Sequence, residues 1–177
     1  MSVLQTIRNF LVPLHDPETA IVVPAPPTSY AVHPLSETNL EEVMRLNMRC
    51  FKNGENYTKH TFAYLLNEPN ALSYQIVTRE KQMAGFICVL VGDDGAAHIT
   101  TIGVAPEHRR RGLAEQLLSH LEHLLRAKNV GAVVLEVRVG NTVAQSLYKQ
   151  SGFSIVQRIS NYYNNGEDGF LMMKSLV

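Results

Sequence analysis

The stretch Ala105-Pro106-Glu107-His108-Arg109-Arg110-Arg111-Gly112-Leu113-Ala114 decides how this chain folds. Upstream, Ala97-His98-Ile99-Thr100-Thr101-Ile102-Gly103-Val104 is rich in β-branched residues and reads as a strand. Downstream, Leu113, Leu117, Leu118, Leu121, Leu124 and Leu125 recur at helical spacing, with Glu115, Gln116, Ser119 and Glu122 between them. A strand therefore runs through a tight basic turn into an amphipathic helix of about four turns. The N–H groups of a helix's first turn lack intrahelical partners and carry partial positive charge, so that end binds phosphate. Gly112 has no Cβ to hold a ligand off the backbone. Arg109, Arg110 and Arg111 add full charge and fork-shaped donors. The local expectation is a pyrophosphate cradle. Its competitor is a solvated arginine patch on an ordinary strand–turn–helix.

Beyond the helix, Asn129-Val130-Gly131 is a stop signal. Ala132-Val133-Val134-Leu135-Glu136-Val137-Arg138-Val139 then reads as a centrally buried strand, parallel to the preceding one because a helix joins them. Glu136 is out of place there, since a buried carboxylate is costly unless paired or useful. It is either a catalytic group or a structural partner of Arg138 or of a backbone group. Gly140-Asn141 ends the strand, a short helix follows from Thr142 to about Gln150, and Ser151-Gly152-Phe153 stops it. Two last strands are expected over residues 154–163 and 169–174.

Upstream, Tyr30-Ala31-Val32-His33 is a short strand, and Ser36-Glu37-Thr38-Asn39 caps a helix carrying Leu40, Val43, Met44 and Leu46. A second helix runs from Thr58 to about Leu66 and ends before Pro69. Strands over 73–78 and 84–91 follow, and Gly92-Asp93-Asp94-Gly95 is a hairpin turn. Residues 1–12 read as an amphipathic helix and 20–23 as an extended piece. Pro24-Ala25-Pro26-Pro27 is stiff, so an appendage over 1–27 is expected to precede a domain over 28–177. The element order predicts an α/β fold with a mixed sheet of about seven strands and helices on both faces. Ligands of such sheets bind beyond the strand carboxyl ends where neighbours diverge. That puts the expected site between Ile102-Gly103-Val104 and Glu136-Val137-Arg138.

The 177 residues, 45% hydrophobic and 18% charged, suit one globular domain with a sizeable core. A net charge of zero argues against a nucleic-acid binder. Cys50 and Cys88 make neither a disulfide framework nor a thiolate metal site, and they fit a reducing cytoplasm. No apolar run reaches membrane-spanning length. His98, His108, His120 and His123 lack convergent metal spacing, so no metal is expected.

Arg109-Arg110-Arg111-Gly112-Leu113-Ala114 resembles the phosphate signature of the GCN5-related N-acetyltransferase (GNAT) family: Arg or Gln, two residues, Gly, one residue, Gly or Ala. Ile102-Gly103-Val104, Asn141, Leu147-Tyr148 and Gly152-Phe153 resemble the family too, over about residues 29–177. Leu135-Glu136-Val137-Arg138 and Asn161-Tyr162-Tyr163 are similar to ribosomal-protein alanine acetyltransferases of the RimI type. Gly54-Glu55-Asn56-Tyr57 and the run from Tyr163 to Asp168 are similar to NatA-type catalytic subunits. The aromatic–Pro–Trp pattern of RimI-type enzymes is missing, and Gly54 stands where the NatA-type loop has Pro.

The resemblance implies direct acetyl transfer from acetyl-CoA to the α-amino group of a protein or peptide. A small-molecule amine or a lysine side chain is the alternative acceptor. It implies that Arg109 to Ala114 hold the pyrophosphate, while Ile102, Gly103, Val104, Asn141 and Tyr148 hold the rest of the cofactor. Glu136 is the first candidate base and Glu55 the second; Tyr148 protonates the departing thiolate. Val104 N–H is a candidate oxyanion donor. Glu55, Tyr57, Arg138, Tyr162 and Tyr163 are the expected substrate contacts. No nucleic-acid or membrane partner is expected, and a homodimer is one open assembly state.

Overall fold

A computed structural model describes residues 11–12, 22–51 and 56–177. Two compact units share the chain, Met1–Leu90 with Thr100–Leu117, and Val91–Ile99 with Leu118–Val177. Seven strands form one mixed sheet in the order β2-β4-β5-β6-β7-β9-β8, the α/β class expected. These are β2 (Tyr30–Pro34), β4 (Ala71–Thr78), β5 (Met83–Val91), β6 (Ala96–Val104), β7 (Ala132–Arg138), β8 (Ser154–Ile159) and β9 (Gly169–Ser175). A separate two-stranded ladder pairs β1 (Leu11–Val12) with β3 (Asn56–Tyr57), so Leu11 and Val12 are strand rather than the expected helix. The rest of that expected helix and Glu55 lie outside the described residues.

In the first unit, β4 pairs antiparallel with β2 and with β5. Helix α1 (Leu40–Cys50) follows a 3-10 turn at Glu37–Asn39, where Ser36 N–H donates to Asn39 Oδ1 at 3.2 Å. Helix α2 (Lys59–Asn67) starts where Thr61 N–H donates to Thr58 Oγ1 at 3.1 Å. Val43 and Leu46 from α1, Phe62 and Leu65 from α2, and Met83, Phe86 and Cys88 from β5 close one core. The Phe62 and Phe86 rings meet edge to face at 5.9 Å. Gly103 lets β6 approach that core: a Cβ there would lie 2.7 Å from Phe86 Cε1 and 3.1 Å from Cys50 Sγ.

In the second unit, β7 runs parallel to the start of β6 and antiparallel to β9 along its whole length. Strand β9 also pairs with β8, so the last strand in sequence sits inside the sheet and β8 at its edge. The β6–β7 ladder covers Ala96–Ala132, Ala97–Val133 and His98–Val134. Strand β7 is not buried throughout, as its apolar run predicted. Val133, Leu135 and Val137 are buried, while Val134, Glu136 and Arg138 take the other face. Helix α3 (Leu113–Ala127) buries Leu113, Leu117, Leu118, Leu121 and Leu125. It ends at Asn129, whose φ of 58° permits Val130 N–H to reach Leu125 O at 3.0 Å. Helix α4 (Thr142–Gln150) stops at Gly152. Strand β8 ends at Ile159 rather than reaching Tyr163, so Tyr162 and Tyr163 belong to the connecting turn.

Candidate active site

The basic turn of the first unit has the backbone that an anion needs. Arg110 and Gly112 take φ of 59° and 72°, and α3 begins one residue later. Left-handed residues in such a turn bring successive N–H groups to face one way, and the unpaired N–H groups of the helix start follow. Nothing lies within 4 Å of where a Gly112 Cβ would be, so it is the φ of 72° and not crowding that calls for glycine there. Arg109 and Arg110 are exposed. Arg109 Nε donates to Val104 O at 3.2 Å, which ties the turn to the end of β6.

Arg111, an expected phosphate contact, is bonded within the chain. Its guanidinium donates to Ala25 O, to Pro26 O at 3.0 Å and to Tyr30 Oη at 2.7 Å. Ala25 N–H in turn donates to Glu107 O at 2.9 Å. The proline segment is therefore strapped to the basic turn. Tyr30 Oη lies 2.9 Å from His108 Nδ1, and burial holds His108 below its ordinary value while the Glu107 charge pulls the other way. Tyr57 is buried, and its hydroxyl donates to Thr100 O at 2.7 Å. It braces β6.

In the second unit, among the described residues, Glu136 bonds neither Arg138 nor a backbone group but His98. His98 Nε2 lies 2.6 Å from Glu136 Oε2, with the two side chains 10% and 7% exposed. The cause is register: His98 pairs with Val134, and Glu136 stands two residues on, on the same face. Glu136 Oε1 and His98 Nδ1 are buried without a hydrogen-bond partner among the described residues. His98 carried no functional reading in the sequence. Only the β6–β7 register, which no local pattern encodes, brings it to Glu136.

Arg138 and Tyr163, two of the expected substrate contacts, pack against each other. The Arg138 guanidinium carbon sits 4.0 Å from the Tyr163 ring centroid, and the Tyr162 ring stands edge-on to Tyr163 at 5.0 Å. Arg138 also donates to Asn165 Oδ1 at 3.1 Å and to Glu167 Oε2. Glu167 Oε1 accepts from Gly140 N–H at 2.9 Å. That backbone bond first, and Arg138 second, hold the Glu167 carboxyl below its ordinary value. Glu167 carried no assigned role in the sequence, yet it fixes Arg138.

Asn141 is the N-cap of α4, its Oδ1 accepting from Ala144 N–H at 3.1 Å. Its amide nitrogen is the group left for the expected cofactor contact. Tyr148 is 7% exposed and stacks edge-on against Phe153 at 5.9 Å. Burial pushes its hydroxyl up to about 12. Tyr148 is therefore protonated at neutral pH, the form a general acid needs. No group of three or more His, Cys, Asp or Glu that could hold a metal occurs among the described residues.

Residues 40–153 match the model of the Acetyltransferase (GNAT) family, and the chain belongs to that family. It is 33% identical over 147 residues to the putative ribosomal protein bS18-alanine N-acetyltransferase of Bacillus subtilis, covering 82% of this chain and 95% of the relative. It is 31% identical to the N-alpha-acetyltransferase daf-31 of Caenorhabditis elegans over 78% of this chain and 79% of that one. The crystal structure of the ribosomal-protein-S18-alanine N-acetyltransferase from Escherichia coli superposes with a TM-score of 0.76 at 30% identity, over 84% and 94% of the two chains. The protein is an N-acetyltransferase of this family.

Proposed function

We propose that the protein transfers acetyl from acetyl-CoA to the α-amino group of a protein or peptide, with Glu136 as the general base. The observation that carries the chemistry is the buried, unpartnered Oε1 of Glu136, an acceptor with no donor among the described residues. Similarity over 78% of the chain to a relative named an N-alpha-acetyltransferase, and over 82% to one named a ribosomal-protein alanine N-acetyltransferase, supports the acceptor class.

Acetyl-CoA brings the acetyl group as an activated thioester. The turn from Arg109 to Ala114 binds the paired phosphates through backbone N–H groups and the exposed charges of Arg109 and Arg110. The Asn141 amide and the backbone of Ile102, Gly103 and Val104 orient the amide-bearing arm. Val104 N–H stabilises the charge that develops on the carbonyl oxygen. Glu136 Oε1 takes the proton of the incoming amine. An α-amine titrates near about 7.7–8.0 and a lysine near about 10.4, so one modest base suffices for the first and not the second. Tyr148 gives its proton to the departing thiolate. Arg138, Tyr162 and Tyr163 form the wall against which the acceptor peptide lies. Glu55 is the second candidate base, by its resemblance to the NatA-type loop. Cytoplasmic residence and a homodimer are further proposals; the free thiols of Cys50 and Cys88 are in keeping with the first.

A panel of short peptides differing at their first residue, assayed beside spermidine and free lysine, tests the acceptor class. Turnover confined to peptides is expected. Turnover confined to free amines overturns the reading and favours the small-amine alternative. Glu136→Gln is expected to lose roughly 100-fold in kcat. If it keeps full turnover while Glu55→Gln loses it, the base is Glu55.

A further inference from the structure

We propose that the proline segment over residues 24–27, together with Tyr30, braces the basic turn in the shape that seats a pyrophosphate, so that this strap sets the affinity for coenzyme A. The inference rests on the reading of residues 109–114 as the phosphate seat and adds a positioning element to it.

The turn is strained at its centre. Arg110 has a side chain and yet takes φ of 59°, a left-handed backbone that such residues avoid. Without support the turn would sample other shapes, and in those its N–H groups no longer face one way. The strap grips the chain on both sides of Arg110. Ala25 N–H donates to Glu107 O at 2.9 Å, and Arg111 donates to Ala25 O, to Pro26 O at 3.0 Å and to Tyr30 Oη at 2.7 Å. The proline rings keep the segment extended before any bond forms, so little entropy is lost on docking. Its far end is anchored on the sheet. Tyr30 pairs with Thr78 of β4, and Thr28 Oγ1 donates to Glu80 Oε2 at 3.3 Å. With His108 Nδ1 unprotonated, Tyr30 Oη accepts from Arg111 and gives its own proton to that nitrogen at 2.9 Å. The strap lies before residues 40–153, the part matched to the family.

The rival role for such a segment is to compete with the ligand for Arg111. A stand-in for phosphate would carry a carboxylate. The strap presents only neutral carbonyls and a hydroxyl to Arg111, and the Glu107 carboxylate beside it pairs with Arg49 at 2.5 Å. Arg109 and Arg110 stay exposed. The strap therefore leaves the positive charge of the turn to the ligand and fixes its shape.

The test uses the full chain and two variants that leave residues 107–114 unaltered. Ala25→Pro removes the N–H bonded to Glu107, and Tyr30→Phe removes the hydroxyl between Arg111 and His108. Calorimetry with coenzyme A gives Kd at a temperature where thermal unfolding shows each chain fully folded. Kd is expected to rise about fivefold or more in each variant, because apparent affinity scales with the fraction of chains whose turn has the binding shape. At saturating acetyl-CoA, kcat is expected to stay within about twofold of wild type, since a filled seat holds its own turn. Hydrogen exchange over residues 107–114 is expected to be faster in both variants without coenzyme A and to match wild type with it bound. An unchanged Kd in both variants overturns the inference. A lower Kd overturns it too, by making the strap a competitor, and so does exchange that matches wild type without ligand. Wild type separates the two levels. If it binds no coenzyme A, the reading of the turn falls and takes this inference with it. If it binds and both variants bind as tightly, only the role of the strap falls. Should Ala25→Pro not fold, Tyr30→Phe carries the test.

Discussion

At Arg111 one guanidinium serves three acceptors, the carbonyls of Ala25 and Pro26 and the hydroxyl of Tyr30. Charge-assisted bonds of this kind each contribute about 1.5–3 kcal/mol, and removing the donor strands the acceptors. Arg111→Ala is therefore expected to lower Tm by several degrees while raising the KM for acetyl-CoA less than Arg110→Ala does. Thermal unfolding and a KM measurement check both. The same cluster titrates. Burial depresses His108, so the unfolded chain binds more protons below about 6.5 and the folded state loses stability as pH falls through that range. A steeper Tm drop between pH 7.5 and 5.5 is expected in the wild type than in His108→Gln. Equal slopes would remove His108 from the account. Sequence made Glu136 and Arg138 visible, because a charge in an apolar strand is conspicuous. It could not make His98, Tyr30 or His108 visible, since each matters through a partner 38 or 78 residues away.

Among the elements, β6 depends most on a missing side chain. Gly103→Ala would drive a methyl into Phe86 and Cys50, and a loss of about 1–3 kcal/mol is expected, read by chemical denaturation. The proline segment is an element of another kind, with no ladder of its own and held through Arg111 and Glu107. Removing residues 1–27 is expected to cost about as much stability as Arg111→Ala. Arg111→Ala is expected to add little in the shortened chain, a cycle measured by thermal unfolding. From Ser36 onward the helices and most strands are legible to within a residue or two, since Ser36, Thr58, Asn141 and Gly152 mark their ends and leucine spacing marks α3. The insertion of β9 between β7 and β8 was not legible. Neighbour order in a sheet depends on pairings between distant segments, and a strand flanked by turns carries no label for its partner.

At the scale of the whole molecule the chain divides into two compact units. The first carries the basic turn, and the second carries the His98–Glu136 pair and the Arg138–Tyr163 contact. Among the described residues no helix is long and apolar enough to cross a membrane. The most direct measurement of the central claim is fragment mass spectrometry of a lysine-containing peptide after reaction with acetyl-CoA. The account predicts acetyl on the α-amino nitrogen alone, with one thiol released for each acetyl gained. Acetyl found on the lysine side chain, with the α-amine untouched, would contradict it.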